Sequence, residues 1–213
     1  MRTVRGLESN PDPAPWRAAG PAETELERRA RLLEVSVPGM RGHSRRVAVY
    51  AALTAQRIGL DRAAVGRVRR AAALHDIGKA EVPAEVLACP GRLGDNDFAR
   101  VQEHAVAGAC IVSSLGDEKL TAIVRHHHER FDGDGYPDRL AGEEIPIGAR
   151  IVAVADTFDA ATSERPYRPA LPHPQALELL EAVAGSQLDP EVVAAFRVHC
   201  SGLRGVLMAV QQR

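Results

Sequence analysis

Candidate metal ligands stand side by side at two points of this 213-residue sequence. One is the imidazole–carboxylate pair His75–Asp76, and the other is the imidazole pair His127–His128 at the start of a glycine-rich stretch. Histidine and carboxylate without thiolate suit borderline to hard metal ions such as Fe, Mn, Zn, Ni or Co. Neighbouring side chains on a helix diverge by about 100°. Two adjacent ligands therefore face one ion only at a helix end, unless they serve two neighbouring ions. Two such pairs indicate a two-metal site.

Asp156 adds a carboxylate inside an apolar segment, IVAVADTFDA at 151–160. A carboxylate that packing buries needs a partner, and a metal ion would supply one. His43 begins a predicted helix and His104 lies inside another. Single histidines of this kind are most often ordinary core or surface residues, and the histidine run 126–128 alone is often solvated. The metal-site hypothesis therefore depends on these residues meeting in the fold.

The composition argues against several classes of function. The net charge of −1 argues against binding of DNA or RNA polymers through bulk electrostatics. No apolar run approaches the roughly 18 residues of a membrane span, and the first residues lack the apolar region of a secretory signal. The three cysteines form no CxxC pair, which is typical of free thiols in a reducing cytosol. We therefore expect a cytoplasmic protein that has neither a nucleic-acid polymer nor a membrane as a partner.

The elements that must position the candidate ligands are predicted to be helices. Hydrophobic residues make up 45% of the chain and aromatic residues only 4%, which favours close-packed helices with a core of Ala, Leu, Val and Ile. The proline-rich residues 1–22 are predicted to form a flexible tail, and residues 23–213 one compact all-α domain. Its seven or eight predicted helices cover 23–35, 43–58, 62–76, 96–115, 117–128, 148–163, 175–184 and the segment that follows Asp189.

Polar residues and glycines mark the helix boundaries. Asp61 and Asp189 suit N-cap positions, and Gly78 suits the C-cap of the third helix. The segment 129–147 is long, irregular and rich in glycine. A loop of this length inside a compact domain is usually functional, and this one follows a histidine pair directly.

Several segments, in this order, resemble the HD-GYP domain, a branch of the HD metal-dependent phosphohydrolase superfamily. HDIGK at 75–79 resembles the HD signature, HAVAG at 104–108 an intervening HxxxG element, and HHERFDGDGYP at 127–137 the HHExxDGxGYP signature. The pattern continues through GEEIPIGARIVAVADTFDAATSERPYRPAL at 142–171. The resemblance spans residues 38–200 and implies an HD-type helical domain with a long GYP loop.

The resemblance also implies a metal ligand at each matching motif position. The implied ligands are His43, His75, Asp76, His104, His127, His128 and Asp156. Asp76 is the natural bridge between two divalent ions, which in this family are typically Fe or Mn. His126 falls one position before the motif and is left out as a solvated neighbour.

Members of this family hydrolyse cyclic di-GMP to the linear pGpG and often to GMP, so the resemblance implies a phosphodiesterase. Two ions about 3.5–4 Å apart can bind a hydroxide and neutralise a phosphate, so we expect a two-metal-activated water, with Asp76 as a catalytic residue. Lys79 is expected to be both catalytic and substrate-binding, because its ammonium would place a point charge on the phosphate. Tyr136, Arg165 and Arg168 are further candidates for contacts with phosphate, sugar or guanine.

Two positions depart from the family pattern. Gly39 stands four residues before His43, where members with three metals have a glutamate, so two ions are expected here. Cys89 stands where the family usually has the lysine of a KPG turn, which would weaken the attraction for a dianionic ligand.

The expected partners are cyclic di-GMP and signalling proteins such as a diguanylate cyclase. Two other hypotheses stay open. One is an HD-type phosphohydrolase for another cyclic dinucleotide, such as cyclic GMP-AMP. The other is a signalling module that binds cyclic di-GMP without turnover.

Overall fold

The computed structural model describes residues 25–37, 40–89, 91, 93–164 and 169–202, so the predicted tail 1–22 lies outside the described residues. Within these ranges the chain forms ten α-helices and no β-strand, which confirms the predicted all-α class. The helices are α1 (Glu25–Ser36), α2 (His43–Ile58), α3 (Arg62–Leu74), α4 (Ala84–Leu87), α5 (Asp95–Gln102), α6 (His104–Ser113), α7 (Glu118–His126), α8 (Ile147–Thr162), α9 (His173–Ala182) and α10 (Pro190–Gly202), with short 3-10 helices at Ile77–Glu81 and Gly142–Glu144. No helix in this described part of the chain is long and apolar enough to cross a membrane.

Several helix boundaries follow the capping residues of the sequence. Asp61 caps α3, because its carboxylate accepts a hydrogen bond from the amide of Ala64. Asp189 accepts hydrogen bonds from two amides in the first turn of α10. Gly59 ends α2 with a φ of 89°, a left-handed conformation that glycine adopts at little steric cost.

Two boundaries differ from the prediction. The expected helix 96–115 is divided at Glu103 into α5 and α6. The prediction that Gly78 caps the third helix is wrong, because α3 ends at Leu74 and Gly78 lies inside a 3-10 helix. Packing explains the glycine instead: a Cβ on Gly78 would lie 2.0 Å from the carbonyl oxygen of His104 and 2.4 Å from the amide nitrogen of Gly108. The HD segment and α6 can therefore touch backbone to backbone.

A core of small residues brings α2 against α3, α8 and α10. Several alanines on α2 are fully buried, which allows its neighbours to pack closely. Tyr50 of α2, Phe158 of α8 and Phe196 of α10 form an aromatic cluster with ring centroids 4.9–5.9 Å apart, in tilted and edge-on arrangements that are favourable for aromatic rings. This cluster fixes α2 and α8, the two helices that carry His43 and Asp156.

Replacing Gly78 by alanine should lower the free energy of unfolding by about 1–3 kcal/mol, the usual cost of overpacking. The added methyl group would collide with backbone atoms of α6, which cannot move aside as a side chain would. Gly66→Ala is the matched control, because Gly66 lies on α3 with no atom near its Cβ position. That variant should be about 0.4–1 kcal/mol more stable. Equal urea midpoints for the two variants would contradict this account of the contact.

Candidate metal centre

Five segments, four of them at helix ends, bring the predicted ligands together. His43 is the first residue of α2 and His104 the first of α6, whereas His75 and His127 directly follow α3 and α7. Asp156 comes from the middle of α8. The adjacent pairs His75–Asp76 and His127–His128 thus lie where the chain leaves a helix. This is the placement that two neighbouring ligands require.

The ligand atoms form two groups that share Asp76. In one group, the donor atoms of Asp76, His104, His127 and His128 lie within 4.8 Å of one another, and in the other those of His43, His75 and Asp76 do so. The two oxygens of Asp76 divide between the groups: Oδ1 lies 3.5 Å from His104 Nε2, and Oδ2 lies 3.5 Å from His75 Nε2. Asp76 therefore lies between the two groups, where a bridging ligand would have to lie.

Asp156 joins the group of His43, with its Oδ1 3.2 Å from His43 Nε2. All seven predicted ligands are thus at one centre.

Backbone carbonyl groups fix the orientation of three histidine rings. The Nδ1 atoms of His75, His104 and His127 each donate to the carbonyl oxygen three residues earlier, at 2.8, 2.5 and 2.6 Å. Those carbonyls belong to the last turns of α3, α5 and α7, where carbonyl groups lack a partner within the helix. The rings therefore satisfy the helix ends and turn their Nε2 atoms towards the centre. The break between α5 and α6 serves this arrangement, because His104 caps α5.

The buried donors fit divalent metal ions. His104 Nε2 and His127 Nε2 lie 3.3 Å apart, and since each ring donates from Nδ1, two nitrogen lone pairs face each other across that distance in the neutral rings. Asp76 Oδ1 is buried without a hydrogen-bond partner among the described residues. The facing lone pairs and Oδ1 lack a donor or cation of their own, because Lys79 contacts the other oxygen of Asp76, Oδ2. Ions in the two groups would supply a cation.

Burial also governs the charge state of the centre. Burial lowers the pKa of His127 well below its usual value, and the neighbouring histidines act in the same direction. Burial opposes the ionisation of Asp76, but the positive charges of Lys79 and of nearby histidines outweigh it and hold its pKa well below the usual range. At His127 and Asp76 the centre thus offers a neutral imidazole and an ionised carboxylate, which are the protonation states that metal binding requires.

Asp159 and Arg46 were missed by the sequence analysis. Asp159 is 1% exposed and accepts hydrogen bonds from His43 Nδ1 at 2.8 Å and from Arg46 Nε at 2.6 Å. Burial opposes the charged form of His43, but its hydrogen bonds to Asp156 and Asp159 raise its pKa to about 10. Asp159 therefore orients the His43 ring as the carbonyl groups orient the others. The sequence signal for Asp159 was its position one helical turn after Asp156, on the same face of the helix.

The centre opens into a cavity of about 390 Å³. Lys79 and Tyr136, the two predicted substrate-binding residues among the described ones, both line it. The ammonium of Lys79 lies 2.6 Å from Asp76 Oδ2. Tyr136 stacks on His128, with ring centroids 5.0 Å apart, and burial raises the pKa of its phenol, which keeps the hydroxyl protonated.

The other predicted positions give no structural test of their roles. Arg165, Arg168 and Gly39 lie outside the described residues. Cys89 is an exposed free thiol and does not line the cavity.

The GYP loop is held close to the metal centre by its own backbone. A Cβ on Gly135 would lie 2.2 Å from the amide nitrogen of Arg130, so only glycine permits this fold of the loop. The buried carboxylate of Glu129 accepts a hydrogen bond from the amide of Asp138 at 2.7 Å. The contact holds the two ends of the GYP segment together.

A family model described as an HD domain matches residues 28–192. The chain belongs to the HD-domain family. Its HD pair, with the HHE and GYP motifs of the loop, places it in the HD-GYP branch. The match covers every residue of the centre and most of the helices around it.

Two curated relatives of this HD-domain chain are named for a phosphodiesterase activity. It is 40% identical over 173 residues to the cyclic di-GMP phosphodiesterase response regulator RpfG of Xanthomonas campestris, covering 80% of this chain and 46% of that protein. It is also 40% identical over 168 residues to 3'3'-cGAMP-specific phosphodiesterase 3 of Vibrio cholerae, covering 78% of this chain and 36% of that protein. The chain thus spans less than half the length of these relatives.

The fold also matches a solved structure, that of a cyclic GMP-AMP-specific phosphodiesterase of Vibrio cholerae. The TM-score is 0.65 at 18% sequence identity, and the alignment covers 87% of this chain and 52% of that one. This likeness establishes the HD-type helical fold.

Replacing Asp159 by asparagine should weaken metal binding about 10–100-fold, as expected when a group that orients a ligand is lost. An amide lacks the charge that holds both His43 and Arg46. A competition titration with a chelator measures the change. Asp117→Asn is the control, since it alters a partly exposed Asp–Arg pair away from the centre. Equal metal affinities of Asp159→Asn and the unaltered protein would show that the ring needs no such support.

Acid should destabilise the metal-free protein in part through His127. Its folded-state pKa lies well below 6.5, so the unfolded chain binds a proton that the folded chain does not. The stabilisation from the neutral ring is therefore complete above about pH 6.5 and is lost as the pH falls below that value. Between pH 5 and 6, His127→Gln should lower the slope of unfolding free energy against pH by about one proton. Val124→Ala, a core control without a titrating group, should leave the slope unchanged.

Proposed function

We propose that this chain is a metal-dependent phosphodiesterase that hydrolyses cyclic di-GMP to pGpG, GMP or both. The proposal rests above all on one observation: two groups of buried histidine and carboxylate donors share Asp76 at the base of an open cavity. The number of ions, two, and their identity, Fe or Mn, belong to the proposal. The named activities of the relatives support the substrate class, cyclic dinucleotides.

The centre would hold one ion with His43, His75, Asp76 and Asp156, and the other with Asp76, His104, His127 and His128. When bound, such ions lower the pKa of a water molecule and neutralise phosphate charge. The chain itself contributes to the reaction by holding the ligand side chains in position. The rings are fixed by the carbonyl groups and by Asp159, so the donors need little rearrangement on binding.

Lys79 and Tyr136 are proposed to receive the scissile phosphate. Lys79 Nζ now pairs with Asp76, and metal ions at Asp76 would compete for that carboxylate and leave the ammonium available for a phosphate oxygen. Tyr136 keeps a protonated hydroxyl on the cavity wall, where it can donate to phosphate or sugar. Arg165 and Arg168 remain candidates for the second phosphate or a guanine edge.

A second candidate substrate is cyclic GMP-AMP, because a relative of equal identity is named as specific for 3'3'-cGAMP. Both cyclic dinucleotides carry two phosphodiester groups, so the same centre would cleave either. The base-binding walls of the cavity would decide between them. A module that binds cyclic di-GMP without turnover is the third hypothesis, and the complete ligand set argues against it.

The test is anaerobic purification with Fe or Mn, metal analysis, and chromatography of the products formed from each dinucleotide. We expect two tightly held ions and conversion of cyclic di-GMP at a rate above that of cyclic GMP-AMP. Asp76→Asn should lose metal and turnover but keep its helical circular dichroism, because it removes the bridging charge and little volume.

Each outcome has a distinct meaning. Full turnover by the Asp76→Asn variant would contradict the proposed mechanism. Three tightly held ions at this centre would refute the two-metal assignment. Faster cleavage of cyclic GMP-AMP would make that dinucleotide the preferred substrate. Tight binding of cyclic di-GMP without product would favour the non-catalytic module.

A further inference from the structure

Another group of ligand atoms lies at the end of α7 and in the loop that follows it. Donor atoms of His126, Glu129 and Asp138 lie within 4.8 Å of one another. Of these three residues, only Glu129 also borders the cavity of the main centre. His126 is not the solvated neighbour that was expected, since its side chain is 13% exposed and both of its ring nitrogens have close polar neighbours.

The His126 ring is held as a metal-binding histidine is held. Its Nδ1 donates to the carbonyl oxygen of Ala122 at 2.8 Å, and its Nε2 points at Asp138 Oδ2, 2.9 Å away. A ring fixed at one nitrogen and presented at the other is the usual arrangement of histidine ligands. His126 belongs to none of the motifs that define the main centre.

Glu129 supplies an independent sign of a missing partner. The residue is 4% exposed. One carboxylate oxygen, Oε1, accepts the amide of Asp138, while Oε2 is buried without a hydrogen-bond partner among the described residues. A buried, ionisable oxygen of this kind requires a positive charge or a donor. A cation bound among the three residues would give this carboxylate a further partner beyond the amide of Asp138.

We infer that His126, Glu129 and Asp138 form a separate site for a borderline divalent cation, with Zn²⁺ as the natural occupant. One imidazole and two carboxylates match the three-ligand sets of zinc sites that keep an open position. Arg125 competes for the site, because its guanidinium holds both oxygens of Asp138 at 2.7 and 2.8 Å. The guanidinium is partly exposed and can move to solvent. This site therefore binds more weakly than the main centre.

An ion here would brace the GYP loop. His126 is the last residue of α7, and Asp138 follows Tyr136 by two positions. The ion would join the end of the helix to the far side of the loop. It would thereby hold Tyr136 against His128 and slow hydrogen exchange in the loop. This site does not depend on the proposed hydrolytic function.

The inference is tested by measuring Zn²⁺ binding to the full chain with equilibrium dialysis and calorimetry. His126→Gln and Asp138→Asn should each bind one ion fewer than the unaltered protein, or bind that ion about tenfold or more weakly. Arg125→Gln should bind the same ion severalfold more tightly, because it removes the competitor. A purely structural role for the Arg125–Asp138 pair predicts no such gain.

The controls keep the outcomes separate. Circular dichroism and thermal unfolding of the metal-free variants check that each one folds. Equal Zn²⁺ stoichiometry and affinity in the unaltered protein and His126→Gln would overturn the site, as would unchanged affinity in Arg125→Gln. Asp76→Asn should keep the extra ion while it loses metal from the main centre, so failure of one site is distinguishable from failure of the other.

Discussion

The structure depends on one constraint: nitrogen and oxygen lone pairs of the candidate ligands lie close together in the interior of a helical protein. His104 Nε2 and His127 Nε2 face each other at 3.3 Å, and Asp76 Oδ1 is buried beside them without a hydrogen-bond partner among the described residues. Burial of such groups costs several kcal/mol unless they are compensated. The surrounding fold must therefore hold these groups in place in the absence of cations that would offset the cost of burying them.

Helix ends meet this constraint at low cost. The last turn of a helix leaves carbonyl groups without partners, and three histidines donate to these groups from Nδ1. Each contact satisfies a helix end and aims a ligand at the same time. It also explains the break between α5 and α6, since an uninterrupted helix would leave no free end for His104 to cap. Gly78 completes the arrangement by allowing the HD segment to touch the backbone of α6.

Residues outside the ligand set hold the charged side chains of the centre in place. Asp159 holds His43 through a buried hydrogen bond and is held in turn by Arg46. Lys79 pairs with Asp76 and keeps it ionised. The GYP loop closes the other side, where Tyr136 stacks on His128. The proposed metal and substrate contacts and the position of the GYP loop thus depend on a few shared residues.

The sequence by itself determined the helical class, most helix boundaries and the identity of the seven candidate ligands. Ordered motifs carry that information because a metal centre accepts few residue types at each position. Only the tertiary structure decided that Asp76 lies between two groups, that Asp159 and Arg46 support His43, and that His126 meets Glu129 and Asp138. These contacts join residues far apart in the chain or across a folded loop. Their distances follow from helix packing and from close glycine contacts, which no local pattern specifies.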